Sequence, residues 1–172
     1  MPPALSVAEA RPQWAASDQG RENVMMDTKG ILESYEIRSQ AENRANECNK
    51  AIVFQALAEA GITRLTVEFD GEGDSGQMQD VQACAGEAPK DVPAVTVECF
   101  CVADNSGTLA TSHRSLTEAI ETLCYDYLEQ EHGGWENNDG AFGEFTFDVA
   151  GRTIQLEFNG RYSDVHTSAH TF

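Results

Sequence analysis

A chain of 172 residues, 41% of them hydrophobic, can bury one substantial core without metal or disulfide support and is short for two domains. Its formal net charge of −18, from 29 acidic and 11 basic side chains, opposes direct contact with nucleic acid or an anionic membrane surface. No stretch approaches the roughly 18 consecutive apolar residues of a membrane span, and no basic-then-apolar leader stands at the N-terminus, so the sequence reads as cytoplasmic.

Residues 1–28 read as a disordered or loosely attached tail: Pro2, Pro3 and Pro12 break any helix, and small and polar residues dominate. Met25 and Met26 offer an alternative start. A single α+β domain is expected over residues 29–172. Good helix formers run without proline from residue 29 to 60, with Gly61 as the stop. Ile31, Leu32 and Tyr35 begin an apolar stripe that Ala45, Cys48, Ile52, Phe54, Ala56 and Leu57 continue. The polar middle, Arg38 to Asn49, is expected to break the helix or stay exposed.

Leu65, Val67 and Phe69 alternate with Thr66 and Glu68, the mark of a half-buried strand. A glycine-rich acidic loop, Asp70 to Gly76, follows. Gln77 to Ala83 reads as a short strand, Gly86 to Pro93 as a connector and Val95 to Val102 as a third strand. Ser115 and Glu118 form the Ser-x-x-Glu capping box of a second helix. Its buried stripe is Leu116, Ile120, Leu123, Tyr127 and either Cys124 or Leu128. Gly133 and Gly134 end it.

The last forty residues read as a β-meander. Phe145, Phe147 and Val149 alternate with Glu144, Thr146 and Asp148, and after the Ala150-Gly151 turn Ile154, Leu156 and Phe158 alternate with Thr153, Gln155 and Glu157. Asn159-Gly160 is a hairpin signal, and Arg161 to Phe172 can supply a further strand. The fold class is therefore α+β: a mostly antiparallel sheet, with the meander at the C-terminus and two helices packed on one face. The five cysteines, Cys48, Cys84, Cys99, Cys101 and Cys124, make no Cys-x-x-Cys pair and read as reduced thiols.

Charge is distributed unevenly. Between Leu65 and Gly151 there are eighteen acids against two bases, Lys90 and Arg114. A two-residue turn at Ala150-Gly151 places Glu144 opposite Glu157, a destabilising pairing of like charges. Glu118, Glu121, Asp126 and Glu129 are expected on the outer face of the second helix without basic partners. With Trp135, Glu136 and Asp139 of the following loop, and Glu144 of the sheet, they are the candidate protein-binding residues. The partner they fit is a basic protein surface, such as that of a nucleic-acid-binding protein, with the acidic chain acting as an inhibitor that mimics a phosphate backbone. Plain solubility, with no specific charged partner, is the competing explanation.

Asp70-Gly-Glu72-Gly-Asp74 spaces carboxylates as a calcium loop begins, making Asp70, Glu72 and Asp74 candidate metal ligands and calcium the one ion implied. Ser75 stands where that loop needs glycine, and Val81 where it needs glutamate, so a solvated strand connection competes. Gly73-Asp74-Ser75-Gly76 also matches a serine-protease nucleophile motif. That reading fails because every histidine lies after residue 112. Trp135 to Gly140 is a polar turn that either pins local structure or recognises a partner. His166 and His170, with Cys99 and Cys101, make a weak zinc set. An acid/base or metal-dependent enzyme, the alternative function, would draw on Asp74, Ser75, Glu136, Asp139 and His170.

Three segments together, Gly73-Asp74-Ser75-Gly76, Gly134-Trp135-Glu136-Asn137-Asn138-Asp139-Gly140 and the ending Ser168-Ala169-His170-Thr171-Phe172, resemble an uncharacterised family found in bacterial genomes, plasmids and phage-related elements. The resemblance spans residues 30–172. It implies no catalytic residue. It implies a mobile-element setting, in which an acidic inhibitor of a nucleic-acid-binding host protein has a use.

Overall fold

The computed structural model describes residues 18–172, with side chains from residue 29 onward. Of the tail expected over residues 1–28, positions 1–17 lie outside the described residues. Helix α1 runs Asp18–Glu59 and begins earlier than the pattern predicts. It is followed by β1 (Arg64–Glu72), β2 (Ser75–Ala85), β3 (Ala88–Lys90), β4 (Thr96–Val102), β5 (Leu109–Ser115), α2 (Leu116–His132), β6 (Ala141–Asp148) and β7 (Thr153–Gly160). The α+β reading holds. A five-stranded sheet has the order β3-β2-β1-β6-β7, with every pairing antiparallel, and β4-β5 form a separate hairpin. Among the described residues no helix is long and apolar enough to cross a membrane.

Strand alternation decides which face of the sheet is dry. Leu65, Val67 and Phe69 of β1 and Phe145 and Phe147 of β6 are each at most 2% exposed. They meet Val53, Phe54 and Leu57 of α1, and Leu116, Ile120, Leu123, Cys124 and Leu128 of α2. Phe54 and Phe147 tilt together at 5.9 Å, tying α1 to the middle of the sheet. Each such side chain contributes about 1.5–3 kcal/mol on burial. Both Cys124 and Leu128 are buried, so the α2 stripe is wider than expected. The capping box forms: the Glu118 backbone N–H donates to Ser115 Oγ at 3.2 Å, and the Ser115 N–H donates to Glu118 Oε2 at 2.9 Å. These bonds hold the Glu118 carboxyl below its usual range.

Four expectations need correction. The polar middle of α1 does not break, and it stays exposed on one face only, because the β4-β5 hairpin packs on the other. Ala41, Ala45 and Asn49 are buried there, and Asn49 grips the β4 backbone, donating to Phe100 O at 2.9 Å and accepting from Phe100 N at 2.7 Å. Small side chains let the hairpin turn approach: a Cβ at Gly107 would lie 2.9 Å from Ile37. Conversely Ile31, Leu32 and Tyr35 are 63%, 58% and 72% exposed, since no described element covers that end of the helix. The third predicted strand, β4, stands outside the main sheet and pairs with β5, which no strong alternation announces. The Arg161 N–H still donates to Gly140 O at 2.9 Å, but residues 161–172 form no further strand, so the meander ends at β7.

The cysteines are free thiols. Cys99 and Cys124 are buried, while Cys48, assigned to the apolar stripe of α1, is exposed. Burial pushes both buried thiols up, away from reactivity.

Candidate functional site

The β1-β2 turn and the α2-β6 loop come together at one end of the sheet. The Gly73 N–H donates to Asn138 O at 3.1 Å, and the Asp74 N–H to Glu136 O at 3.2 Å. Trp135 fills the space between them, only 8% exposed, with its edge on Phe69 at 5.3 Å. A Cβ at Gly71 would stand 2.6 Å from the indole, and one at Gly76 would overlap it. Asp74 and Asn138 take left-handed backbone, with φ of 71° and 59°. Asx residues tolerate that region better than most.

The C-terminal segment closes the same end. Arg161 binds Asp70 through Nη2 at 2.8 Å and donates to Gly71 O through Nη1 at 2.9 Å. Its guanidinium lies 4.8 Å from the centre of the Phe142 ring. Asp139 accepts from the Ser163 N–H and, at 2.8 Å, from its hydroxyl.

These contacts place the candidate residues. Trp135 is an internal wedge and presents no anchor to a partner. Asp139 is occupied by Ser163, and Asp70 by Arg161. Glu136 carries one buried carboxylate oxygen with no partner. Glu72 and Asp74 are exposed on a tight turn. That turn replaces the twelve-residue arc of a calcium loop. Among the described residues no three His, Cys, Asp or Glu side chains gather as metal ligands. His166 and His170 lie on the extended C-terminal segment, and Cys99 and Cys101 on β4.

The sheet face turned away from the helices carries the main charge feature. Register puts Glu68 opposite Glu144, and Glu144 opposite Glu157, so three carboxylates cross β1, β6 and β7 in one row. Glu68 and Glu157 are exposed and Glu144 is half-buried. Neighbouring strands lie about 4.8 Å apart, which sets the spacing of the row. Thr146 donates to Glu144 Oε1 at 3.1 Å, but among the described residues no cation pairs with the row. Among the described residues the ion pairs are Lys29–Glu33, Arg38–Glu42 and Arg161–Asp70. Sequence reasoning found the Glu144–Glu157 contact. Glu68 was missed because β1–β6 pairing joins residues far apart in the chain, and no local pattern announces it.

The α2 acids divide. Glu118 serves the cap. Glu121 is half-buried. Asp126, expected on the outer face, instead points toward α1. Burial, with the Glu42 charge, pushes its carboxyl up to about 6, and Arg114 offsets part of this. Asp126 and Glu129 line a cleft of about 580 Å³ between α1, the β4-β5 hairpin and α2.

No curated protein and no solved structure matches the chain. One family model, described as a family of unknown function (DUF6878), matches residues 45–172, from the buried part of α1 to the C-terminus. The match takes in the converging loops, the carboxylate row and the Arg161 contacts. The chain therefore belongs to this family of unknown function.

Proposed function

We propose that this protein is an acidic interaction module whose outer sheet face receives a basic protein surface. The observation that carries the reading is the row Glu68–Glu144–Glu157. Like charges facing each other across strands each cost about 0.2–1 kcal/mol relative to neutral pairs. A lysine or arginine at the central position, 144, would remove that cost from both pairings. A cationic partner seated on the face removes it in the complex instead. Exposed groups of this kind accelerate encounter and sharpen partner choice more than they add affinity, and they respond to salt. A nucleic-acid-binding protein is the partner class whose own surface is basic.

The test compares capture from a bacterial lysate at low ionic strength by the wild-type chain and by the triple variant E68Q/E144Q/E157Q. The expected result is a basic protein retained by the wild type, released by salt and not retained by the variant. Equal capture by both chains, or none by either, refutes the reading.

The convergence of the Asp70–Gly76 and Gly134–Gly140 loops supports a second reading, a metal-dependent or acid/base centre around Asp74 and Glu136. Trp135 is its built-in reporter. In a Trp14→Phe background, calcium added to the full chain is expected to shift Trp135 emission if the loops take the ion. An unchanged spectrum dismisses the calcium form of this reading.

A further inference from the structure

The cleft behind the sheet holds two charges of opposite sign that form no direct ion pair. Arg114 reaches into it from β5. Its Nη1 donates to Thr122 Oγ1 at 2.7 Å and its Nε to Ser112 Oγ at 3.4 Å. Both acceptors are neutral hydroxyls, so the guanidinium is held in place with its charge intact. Asp126 stands one turn further along α2 and lines the same cleft. Residues four apart on a helix have Cβ atoms about 5–6 Å apart, so Arg114, held on Thr122, sits a helical turn from Asp126. No Arg114–Asp126 ion pair forms, and no described group donates a hydrogen bond to the Asp126 carboxylate. On the opposite wall, Arg38 and Glu42 satisfy each other at 2.8 Å. The floor is β4, with Cys99 and Cys101.

A half-buried carboxylate without donors is costly, and so is a half-buried guanidinium without a counter-ion. A phosphate or dicarboxylate would meet Asp126 and Glu129. A simple amine would leave Arg114 uncompensated. A molecule with a carboxylate and an ammonium a few ångströms apart answers both at once. About 580 Å³ lies within the roughly 300–1,000 Å³ of small-molecule sites. The walls are mixed polar and apolar, which suits a small polar ligand.

We propose that this cleft is a binding site for a small zwitterion of the free amino acid class, its carboxylate on Arg114 and its ammonium on Asp126. Asn46, on the α1 wall, is placed to bond the remainder of the ligand. The site lies on the helix side of the sheet and stands independently of the outer-face reading.

The test is isothermal titration of the full chain with each of the twenty common amino acids, and with ethylamine and propionate as single-charge controls. At least one amino acid is expected to bind, with both controls at least about tenfold weaker. Asp126→Asn and Arg114→Gln, checked for folding by circular dichroism, are each expected to weaken that binding by about tenfold or more. Arg114→Lys keeps the charge and is expected to retain part of it. Absence of binding by all twenty amino acids overturns the proposal. So does ethylamine binding as tightly as the best zwitterion, which would mark generic attraction to an acidic chain. So does unchanged affinity in a folded Asp126→Asn variant.

Discussion

Trp135 rests its indole on Gly76 so closely that any β-carbon at that glycine would overlap the ring. Neither residue touches the other in sequence, and each makes the other necessary. Trp135→Ala is expected to cost about 3–5 kcal/mol in chemical denaturation, the range for an aromatic removed from a core. Gly76→Ala is expected to be destabilising as well, although alanine normally stabilises a strand relative to glycine. A neutral or stabilising Gly76→Ala would show that the wedge is not there.

The carboxylate row makes a stability prediction that needs no partner. Replacing Glu68, Glu144 and Glu157 with glutamine is expected to raise stability by about 0.5–1 kcal/mol at low ionic strength. The gain is expected to shrink in high salt, where exposed charges are screened. Urea melts at two salt concentrations measure both.

Asp126 sets a pH dependence. Its folded value is raised to about 6, above the ordinary carboxylate value, so the folded state holds its proton more tightly than the unfolded chain. Its contribution is therefore fully present below the unfolded value and is lost as pH rises through about 6. Asp126→Asn is expected to gain about 1 kcal/mol at neutral pH, after allowance for partial solvation, and little near pH 4. Melts across that range, compared with wild type, read the difference.

Ser115→Ala removes the acceptor at the start of α2 and one of the two Ser115 bonds to Glu118, leaving the backbone N–H donor in place. A loss of about 1 kcal/mol is expected, typical of an N-cap. Titration of Glu118 by NMR is expected to show its carboxyl rising only part of the way toward the ordinary range, because the Ser115 backbone N–H, the larger cause of the lowering, still donates to it while the hydroxyl bond is lost.

Arg161→Ala severs the link from the C-terminal segment to Asp70 and Gly71. Global stability is expected to fall by about 1 kcal/mol, the scale of partly exposed charge-assisted bonds. Limited proteolysis is expected to cut after β7 faster than in the wild type.

What was readable in advance followed the range of the interactions. The α2 capping box, the Glu144–Glu157 contact and the alternation of β1, β6 and β7 depend on residues close in sequence, and each is present. The hairpin was obscured because β5, Leu109–Ser115, is buried on neither face and carries a weak pattern. The buried middle of α1 was obscured because alanine and asparagine signal little by themselves. Their burial depends on a strand some fifty residues away, through Asn49 and Phe100. Asp126 looked solvent-facing for the same reason: only the packing of α1 across α2 turns that side inward. The convergence of the two glycine-rich loops joins residues some sixty positions apart through Trp135 and two backbone bonds, and no local pattern announces it.

The grip of Asn49 on Phe100 has a consequence for how the chain avoids misassembly. A lone two-stranded ribbon has no third strand to fix its alignment, and a slip of one residue turns every side chain to the opposite side. Slipped that way, β4 would press Glu98 into α1 and send Cys99 out to water. By engaging both the N–H and the carbonyl of Phe100, whose immediate neighbours turn theirs the other way, the Asn49 amide rejects a slip of one residue. It works as a proofreading key, cut on the helix, for a strand that could otherwise seat itself wrongly.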